Sequence, residues 1–289
     1  MKIKILIPLY NDWQSTSKLV DEINNLSISS EFQISIIIVN DASNHDRPEE
    51  SKNLENIHSF KIINMKKNQG HARCIATGLK YIFEKEDFDY VIPMDGDGED
   101  RPEEIKEFIN KIKDSNGKPI VGSRVKRSEG LTFKICYQIH KLITYTFTGQ
   151  SIKFGNYSCL PKSIVERMIN EKAAWSSFSG ALAKVSKDRA TIPSERGSRY
   201  FGPSKMSFKN LTIHSLAIIS VFKFNVLLRS IMFLIVYMFL IHQNISIIML
   251  IPFPLIVLLV VLVFLTSKRE SLGEMKESFS NILNIDNIK

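Results

Sequence analysis

The 289-residue sequence is poor in cysteine, which limits what can hold the fold together. Its three cysteines, Cys74, Cys136 and Cys159, are odd in number and never form a Cys-x-x-Cys pair. Disulfide frameworks and structural zinc sites usually need paired or closely spaced cysteines. We therefore expect a chain that folds in a reducing compartment without either kind of cross-link.

Several motifs of nucleotide-binding and exported proteins are also missing. The chain has no Gly-x-Gly-x-x-Gly run and no Walker loop, so neither a dinucleotide site nor a P-loop site is indicated. No motif typical of nucleic-acid-binding proteins is present, and we expect no nucleic acid partner. The apolar run at residues 5–8 is too short for the core of a secretory signal peptide. This predicts that the N-terminal domain stays in the cytosol.

Charge is unevenly distributed along the chain. Residues 1–117 carry 15 basic and 21 acidic side chains, whereas residues 118–229 carry 19 basic and 5 acidic ones. Residues 230–289 are balanced, with 4 of each. A basic segment directly before an apolar one is well placed to meet anionic lipid head groups or phosphates.

No charged residue occurs between Ser230 and Ser267, and this stretch predicts two membrane-spanning helices. We expect them at 226–243 and 246–266, about 27 and 31 Å long, which matches the ~30 Å hydrocarbon core of a bilayer. Basic residues flank the pair: Lys223, Arg229, Lys268 and Arg269. The positive-inside rule then predicts that both chain termini are cytoplasmic. A buried helical hairpin in a soluble protein is the alternative.

The segments beside these helices complete the predicted organisation. Residues 207–223 carry apolar side chains at helical spacing, which predicts an amphipathic helix in the membrane interface. An ordinary surface helix is the alternative. Pro252 and Pro254 are expected to kink the second spanning helix. We expect a cytosolic domain at 1–206 and a polar cytosolic tail at 267–289.

Strands and helices alternate in the first part of the chain. We expect strands at 2–8, 33–39, 60–64, 89–93 and 120–122, and helices at 15–26, 70–84 and 102–113. The strands are short, nearly continuous apolar runs rich in β-branched residues, a pattern typical of a parallel sheet with helices on both faces. The predicted fold class is α/β, and ligands are expected beyond the carboxyl ends of the strands.

Acidic residues follow two of the predicted strands at that position. Asp41 comes directly after one of them. The other is followed by three alternating carboxylates: Asp95, Asp97 and Glu99. Alternate residues of an extended chain point to the same side, so these three can converge on one point. Hard oxygen ligands favour Mg²⁺ or Mn²⁺, and such an ion suits a diphosphate. A calcium loop is disfavoured because Lys106 stands where its bidentate Glu is required, and a solvated acidic turn is the alternative.

Five runs in this order resemble the motifs of family 2 glycosyltransferases, which have the GT-A fold. They are Ile5–Asn11, Val39–Ser43, Asn68–Ala72, Asp95–Glu99 and Arg199–Lys205. The last run, followed by an interfacial helix and a hairpin of spans, is similar to the polyprenyl-phosphate branch, which includes dolichyl-phosphate mannose synthases. The resemblance implies a metal-dependent, inverting enzyme of the bacterial inner membrane. It would move a sugar from a nucleoside-diphosphate sugar to polyprenyl phosphate, in cell-envelope glycan biosynthesis.

On the donor side, the resemblance implies residues that bind the nucleotide and a metal ion. Asp41 would bind the base or ribose, or would alternatively cap a turn or helix. Pro8 and Tyr10 would pack beside the nucleotide, and Asp95 would contact the ribose or the diphosphate. The implied ligands of Mg²⁺ or Mn²⁺ are Asp95, Asp97 and Glu99. For His71, a ligand contact and a helix-packing role are both open.

On the acceptor side, the resemblance implies basic residues. Arg124 would meet the acceptor phosphate, or would alternatively form a surface ion pair. Arg199, Ser204 and Lys205 would clamp the donor diphosphate or the acceptor phosphate. Binding of lipid head groups is the simpler alternative for Arg199 and Lys205. The implied catalytic residues are Asp97, Arg124, Arg199 and Lys205.

A further absence concerns the acceptor. No Asp or Glu lies between Glu129 and Glu166, where many family 2 enzymes place the acid that deprotonates a sugar hydroxyl, and Asn156 stands in that region. A hydroxyl needs such a base, whereas a phosphate monoester is already an anion at neutral pH. The sequence therefore favours a lipid phosphate over a glycan hydroxyl, unless Glu195 or Asp188 folds inward as a base. A nucleotide-sugar-binding membrane protein without turnover is a second alternative, and a homo-oligomer is left open.

Overall fold

The computed structural model describes residues 1–48, 53–126, 131–203 and 208–289. Within them the chain forms two compact units. The first consists of Met1–Ser128, Lys153–Lys205 and Ser271–Lys289, and the second of Glu129–Ile152 and Met206–Glu270. The predicted site residues Ser204 and Lys205 lie outside the described residues.

The first unit is built on one eight-stranded sheet. Its strands are β1 (Lys2–Leu9), β2 (Gln33–Asn40), β3 (Ser59–Met65), β4 (Tyr90–Pro93), β5 (Ile120–Lys126), β6 (Phe154–Pro161), β7 (Ala190–Glu195) and β8 (Ile282–Asn287). Their order in the sheet is β7-β5-β6-β4-β1-β2-β3-β8. β1 pairs in parallel with β2 and β4, β2 with β3, and β5 with β7. β6 runs antiparallel to β4 and β5, and β8 to β3. The predicted α/β class, with parallel strands at the centre, is confirmed.

Ten α-helices accompany the strands in the described residues. They are α1 (Trp13–Asn24), α2 (His71–Lys85), α3 (Glu104–Ile112), α4 (Leu131–Thr148), α5 (Lys162–Ile169), α6 (Phe178–Val185), α7 (Phe208–Ser220), α8 (Lys223–Ile241), α9 (Pro252–Ser267) and α10 (Leu272–Lys276). α4, α7, α8 and α9 lie in the second unit and the others in the first.

The centre of the sheet is apolar on both faces. In β1 and β2 every residue after the first is buried. Ile5 and Ile7 join a core cluster with residues of α1 and α3, whereas Leu6 points to the other face, towards α2. Gly78 allows α2 to approach closely, because a Cβ there would lie 2.3 Å from a methyl carbon of Leu6. Each fully buried aliphatic side chain contributes about 1.5–3 kcal/mol, so this double-sided burial holds the strands in register.

The C-terminal residues add an edge strand where the sequence predicts only a polar tail. β8 extends the sheet by pairing with β3. In the preceding turn of helix, Glu274 accepts a hydrogen bond from Trp175 Nε1 at 2.8 Å. The chain that follows the apolar helices therefore belongs to the same folded unit as the N-terminal strands.

Two stretches that lie wholly or mostly in the second unit are long and apolar enough to cross a membrane. They are Lys223–Ile241 and Ile248–Lys276, and 11% of the most apolar part of each is buried. The expected kink at Pro252 is wrong, because α9 begins at that residue. A proline at the start of a helix loses no hydrogen bond, since the first amides have no partner in the helix. Pro254 lies in the same first turn.

α4 was absent from the predicted elements, and its last turn contacts α8. Arg229 donates to the carbonyl oxygen of Thr146 at 3.0 Å, and Asn225 donates to that of Thr148 at 3.1 Å. The last carbonyls of a helix lack partners within the helix and favour a positive charge. Arg229, predicted to flank a membrane span, thus also binds the carboxyl end of a neighbouring helix.

A buried group of three charges joins two strands of the first unit. Lys4 of β1 and Lys61 of β3 lie 2.8 and 2.6 Å from the carboxylate of Glu86. The side chains of Lys4 and Glu86 are only 7% and 8% exposed. Burial raises the pKa of Glu86, but the hydrogen bonds from both lysines outweigh it, so the net pKa lies below its ordinary value.

Replacing Glu86 by Gln is expected to lower the free energy of unfolding by about 3 kcal/mol at neutral pH, because the buried Lys4 ammonium loses its counter-charge. Because the pKa of Glu86 is lowered in the folded state, its stabilisation is complete above the unfolded pKa and is lost as pH falls through the folded value. Denaturant unfolding in detergent should show a constant difference above about pH 5 that shrinks below about pH 4.

Asp87→Asn is the matched control, since Asp87 pairs with Lys2 but its side chain is 74% exposed. Exposed pairs contribute little, so this variant should unfold like the wild type. An effect of Glu86→Gln that persists undiminished in acid would contradict the assignment.

Candidate functional site

The candidate site lies at the edge of the sheet where the parallel strands end. β1, β2 and β4 run in the same direction and therefore end at one edge. Pro8 is buried within β1, and Tyr10, just past its end, is 44% exposed. Asp41 follows β2 and Asp95 follows β4. The structure thus brings the predicted nucleotide-binding residues to a common edge.

Asp41 ties the end of β2 to the start of α2. Its side chain is buried, and its two carboxylate oxygens accept hydrogen bonds from the amides of Gln69 and Gly70, each at 2.8 Å. Gly70 directly precedes α2. Asp41 therefore caps the turn before α2, which is the alternative role considered for it in the sequence. Contact of Asp41 with a nucleotide stays a prediction.

Asp95 lies among groups that stabilise its negative charge. His71 Nε2 is 2.8 Å from Asp95 Oδ1, and the Asp95 amide donates to the buried Asp100. Burial raises the pKa of Asp95, but His71, Arg124 and a hydrogen bond from Asn156 outweigh it and hold the pKa below its usual range. Desolvation lowers the pKa of His71, yet the neighbouring carboxylates, Asp95 foremost, raise it overall. His71 is thereby placed in the site as a partner of Asp95.

Two arginines from the chain after β7 bind the other predicted metal ligands. Arg199 pairs with Asp97 and also lies 2.9 Å from Asp12. Arg196 pairs with Glu99. All of these side chains are at most about a quarter exposed. Each carboxylate is therefore paired with an internal cation.

The backbone holds these two segments together as well. We call residues 95–100 the carboxylate loop and residues 196–200 the arginine loop. The amides of Gly197 and Tyr200 donate to the carbonyls of Glu99 and Asp97, both at 2.9 Å. Gly98 has a φ of +88°, and a Cβ there would lie 2.6 Å from the Tyr200 ring. Glycine is thus required at this position by both conformation and contact.

The three predicted metal ligands do not converge on one point. In the ranges that the structure describes, no three His, Cys, Asp or Glu side chains are arranged to hold an ion. The donor chemistry nevertheless fits a hard cation, because the donors are carboxylate oxygens. Burial and the charge of Asp95 raise the pKa of both Asp97 and Asp100. The carboxylate loop therefore concentrates negative charge, and in this structure basic side chains balance that charge.

Arg124 is a further acceptor-side residue that the structure places at the same edge. It lies near the end of β5, 25% exposed, with Nη2 4.0 Å from Asp100 Oδ1. Asp188, one alternative base, precedes β7 and pairs with Lys118 at 2.8 Å. β5 and β7 are parallel, so Asp188 lies at the opposite edge of the sheet. Glu195, the other alternative, lies 3.9 Å from Arg101.

Four residues of the site were not singled out from the sequence. They are Asp12, Asp100, Arg196 and Tyr200. Asp12 directly follows the run Ile5–Asn11, and Asp100 directly follows the alternating carboxylates, so proximity to a motif was an available signal. Arg196 carries no such signal, since its partner lies 97 residues earlier.

Substituting Gly98 by Ala is expected to separate the arginine loop from the carboxylate loop. A left-handed conformation costs alanine about 1–2 kcal/mol, and the collision with Tyr200 adds about 1–3 kcal/mol. Gly117→Ala is the matched control, because Gly117 has a φ of +73° and a Cβ added there would meet nothing within 4 Å. Chemical unfolding should therefore show a clearly larger loss for Gly98→Ala. Equal losses would contradict the close contact with Tyr200.

Comparison with known proteins identifies the family. Residues 4–173 match the family model described as Glycosyl transferase family 2. The undecaprenyl-phosphate 4-deoxy-4-formamido-L-arabinose transferase of Salmonella choleraesuis (strain SC-B67) is 27% identical over 219 residues, which cover 73% of this chain and 64% of the relative. The chain thus spans somewhat less than two thirds of the length of that relative.

Solved structures show the same fold at low sequence identity. Glucosyl-3-phosphoglycerate synthase from Mycobacterium tuberculosis, in complex with Mn²⁺, UDP and phosphoglyceric acid, has a TM-score of 0.57 at 10% identity, over 78% of each chain. Mannosyl-3-phosphoglycerate synthase from Rubrobacter xylanophilus has a TM-score of 0.53 at 13% identity, over 76% of this chain and 72% of that one. These likenesses confirm the predicted GT-A architecture. Since the family model covers more than half of the sequence, the chain belongs to glycosyl transferase family 2.

Proposed function

We propose that this chain is a membrane-bound, inverting glycosyltransferase that moves a sugar from a nucleoside-diphosphate sugar to polyprenyl phosphate. Family membership and a relative named for transfer to undecaprenyl phosphate support the proposal. The observation that carries it is the charge at the edge of the sheet where the parallel strands end. Arg124 and Arg199 lie beside the carboxylate loop, whereas Asn156, in the region where a base is expected, is an amide bound to Asp95.

The donor diphosphate is proposed to bind at the carboxylate loop. Asp97 and Glu99, with Asp95, would hold Mg²⁺ or Mn²⁺, and the bound ion would neutralise charge on the departing diphosphate. When these carboxylates bind the ion, their pairs with Arg196 and Arg199 of the arginine loop would break. In the described structure the buried Nε of Arg199 has no hydrogen-bond partner, so this donor is available for a phosphate oxygen.

The proposed reaction of the acceptor follows from the negative charge of its phosphate and the positive charge of Arg124. An oxygen of the lipid phosphate would attack the anomeric carbon from the face opposite the diphosphate. A bond from carbon to the acceptor oxygen forms as the bond to the diphosphate oxygen breaks, so the configuration inverts. The attacking phosphate is already anionic, and the protein needs to orient it and balance its charge rather than remove a proton. Arg124 is proposed to hold it, because its guanidinium can donate two parallel hydrogen bonds to a phosphate.

The proposed membrane topology has two crossings, with both termini in the cytoplasm. Two apolar stretches are long enough to span, and α7 would lie in the interface. The position of β8 supports an even number of crossings, because β8 pairs with β3 of the N-terminal domain. A strand that follows the spans can join that sheet only if the chain has returned to the same side.

The direct test is a donor panel with the purified full-length chain, polyprenyl phosphate, and Mg²⁺ or Mn²⁺. Mass spectrometry of the lipid fraction is expected to show one monosaccharide added to the lipid, in an acid-labile and alkali-stable linkage. An extended glycan would instead indicate a hydroxyl acceptor. Metal-dependent nucleotide binding without release of nucleoside diphosphate would indicate a non-catalytic protein. Either result would overturn the proposal.

Asp97→Ala is expected to lower turnover by about 10²–10³, the scale on which a preorganised electrostatic contact is lost. The readout is product formed per minute in saturating Mn²⁺. Asp188→Ala is the matched control, since this exposed carboxylate lies at the other edge of the sheet and should leave turnover unchanged. Wild-type turnover in Asp97→Ala would refute the metal assignment, and a large loss in Asp188→Ala would revive a hydroxyl acceptor.

A further inference from the structure

The C-terminal strand is connected by side chains to the loop that follows β2. Asn64 of β3 donates from Nδ2 to Asp286 Oδ2 at 2.9 Å. Asn40, at the end of β2, donates from Nδ2 to Asn64 Oδ1 at 2.9 Å. The amide of Ser43 donates to Asn40 Oδ1 at 3.1 Å. We call Asp286, Asn64 and Asn40 the amide relay.

The direction of this relay is determined at both ends. An ionised carboxylate only accepts hydrogen bonds, so Asn64 must turn its NH₂ group towards Asp286. Its carbonyl oxygen then faces Asn40, which in turn must present its own NH₂ group. The oxygen of Asn40 is therefore left for the backbone amide of Ser43, which can only donate. Asp286 thus favours the one amide orientation that supports the loop after β2.

The loop that receives this support and the neighbouring loop after β1 each contain a conformationally strained residue. Ala42 and Asn11 have φ values of +55° and +51°, a region that residues other than glycine rarely adopt. Ser43 Oγ accepts from the amide of Asn11 at 2.9 Å, and Asn11 Oδ1 accepts from the amide of Asn44 at 2.8 Å. Such conformations persist only when surrounding contacts determine them, and they cluster at functional sites.

These strained residues lie beside the predicted nucleotide contacts. Asn11 follows Tyr10, and Ala42 follows Asp41. Asn40, the inner end of the relay, is 9% exposed, so its amide cannot readily exchange a lost partner for water. The geometry of the nucleotide half of the site is thereby linked to a side chain near the C-terminus.

We propose that Asp286 is a positioning residue for nucleotide binding, acting through Asn64 and Asn40 on the loops that carry Asp41 and Tyr10. This inference rests on the proposed function. Asp286 lies outside residues 4–173 that match the family model. It belongs to the segment after the apolar helices, so that segment contributes to the site besides extending the sheet.

The test compares Asp286→Ala with the wild type in the full-length chain. Titration with UDP and with GDP, each with Mg²⁺, gives the dissociation constant of the nucleotide, and the transfer assay gives KM for the donor and kcat. Because Asp286 acts on the loop only through two intervening amides, losing its hydrogen bond should raise the dissociation constant and KM by the amount of one ordinary hydrogen bond, about fivefold to tenfold. kcat should stay within about twofold of the wild type, because Asp286 does not touch the reacting groups.

Leu283→Ala is the matched control on the same strand, since the Leu283 side chain is 67% exposed. This variant should leave the dissociation constant of the nucleotide and the KM for the donor unchanged. A role of Asp286 in strand docking alone would lower thermal stability and the active fraction, and therefore kcat, while the nucleotide affinity of the folded protein stayed at the wild-type value. That pattern would overturn the inference.

An exchange of the two side chains gives a sharper test. In Asn64→Asp combined with Asp286→Asn, the new carboxylate at position 64 accepts from Asn40 and from the new amide at position 286. The orientation of Asn40 is then preserved, and nucleotide affinity should return to within about twofold of the wild type. Asn64→Asp alone still offers an acceptor to Asn40 but places two carboxylates together, so it should lower thermal stability. Failure of the exchange to restore affinity would overturn the relay.

The proposed function and this inference fail in different ways. Wild-type protein that binds neither nucleotide and transfers no sugar would overturn the proposed function and the inference with it. Wild-type binding and transfer that Asp286→Ala leaves unchanged would overturn the inference alone.

Discussion

The parallel alignment of β1, β2 and β4 is the constraint on which the rest of the structure depends. Because the three strands run in one direction, the residues that follow them meet at one edge of the sheet. Tyr10, Asp41 and Asp95 follow adjacent strands at this edge for this reason, although they are far apart in sequence. The alignment is maintained by burial of both sheet faces beneath α1, α2 and α3, which makes a shift of register costly.

Charge balance is the second constraint, and it follows from the first. Gathering carboxylates at one buried edge is unfavourable unless positive charge accompanies them. Arg196 and Arg199 supply that charge, and His71, whose pKa the carboxylates raise, is paired with a third carboxylate. The same arrangement places both signs of charge close together at this edge of the sheet. A donor diphosphate with its ion and an anionic acceptor both need such a surrounding, so the electrostatics that stabilise the fold also suit the proposed chemistry.

The C-terminal segment links the apolar helices to the sheet. β8 covers an edge of β3 that would otherwise present unpaired backbone groups. The same strand carries Asp286 to the amide relay. One element thus protects the sheet edge and carries the first side chain of the relay that supports the loop after β2. A segment with these roles is expected to be sensitive to substitution despite its polar, ordinary composition.

The sequence by itself did not predict β6–β8, α4–α6 or α10. It determined the remaining local features: the apolar strands, the amphipathic helices, the two uncharged stretches and the placement of acids after strands. These features have a short period or a short range, and they can be read from neighbouring residues. Tertiary structure alone decided which side chains that are distant in sequence contact each other. Arg199 and Asp12 are 187 residues apart, and Asn64 and Asp286 are 222 apart. No periodic pattern connects such pairs, because their contact depends on how the sheet is ordered and how the chain returns to it. The same reason explains why the carboxylates, which spacing alone allows to converge, face separate cations in the folded chain.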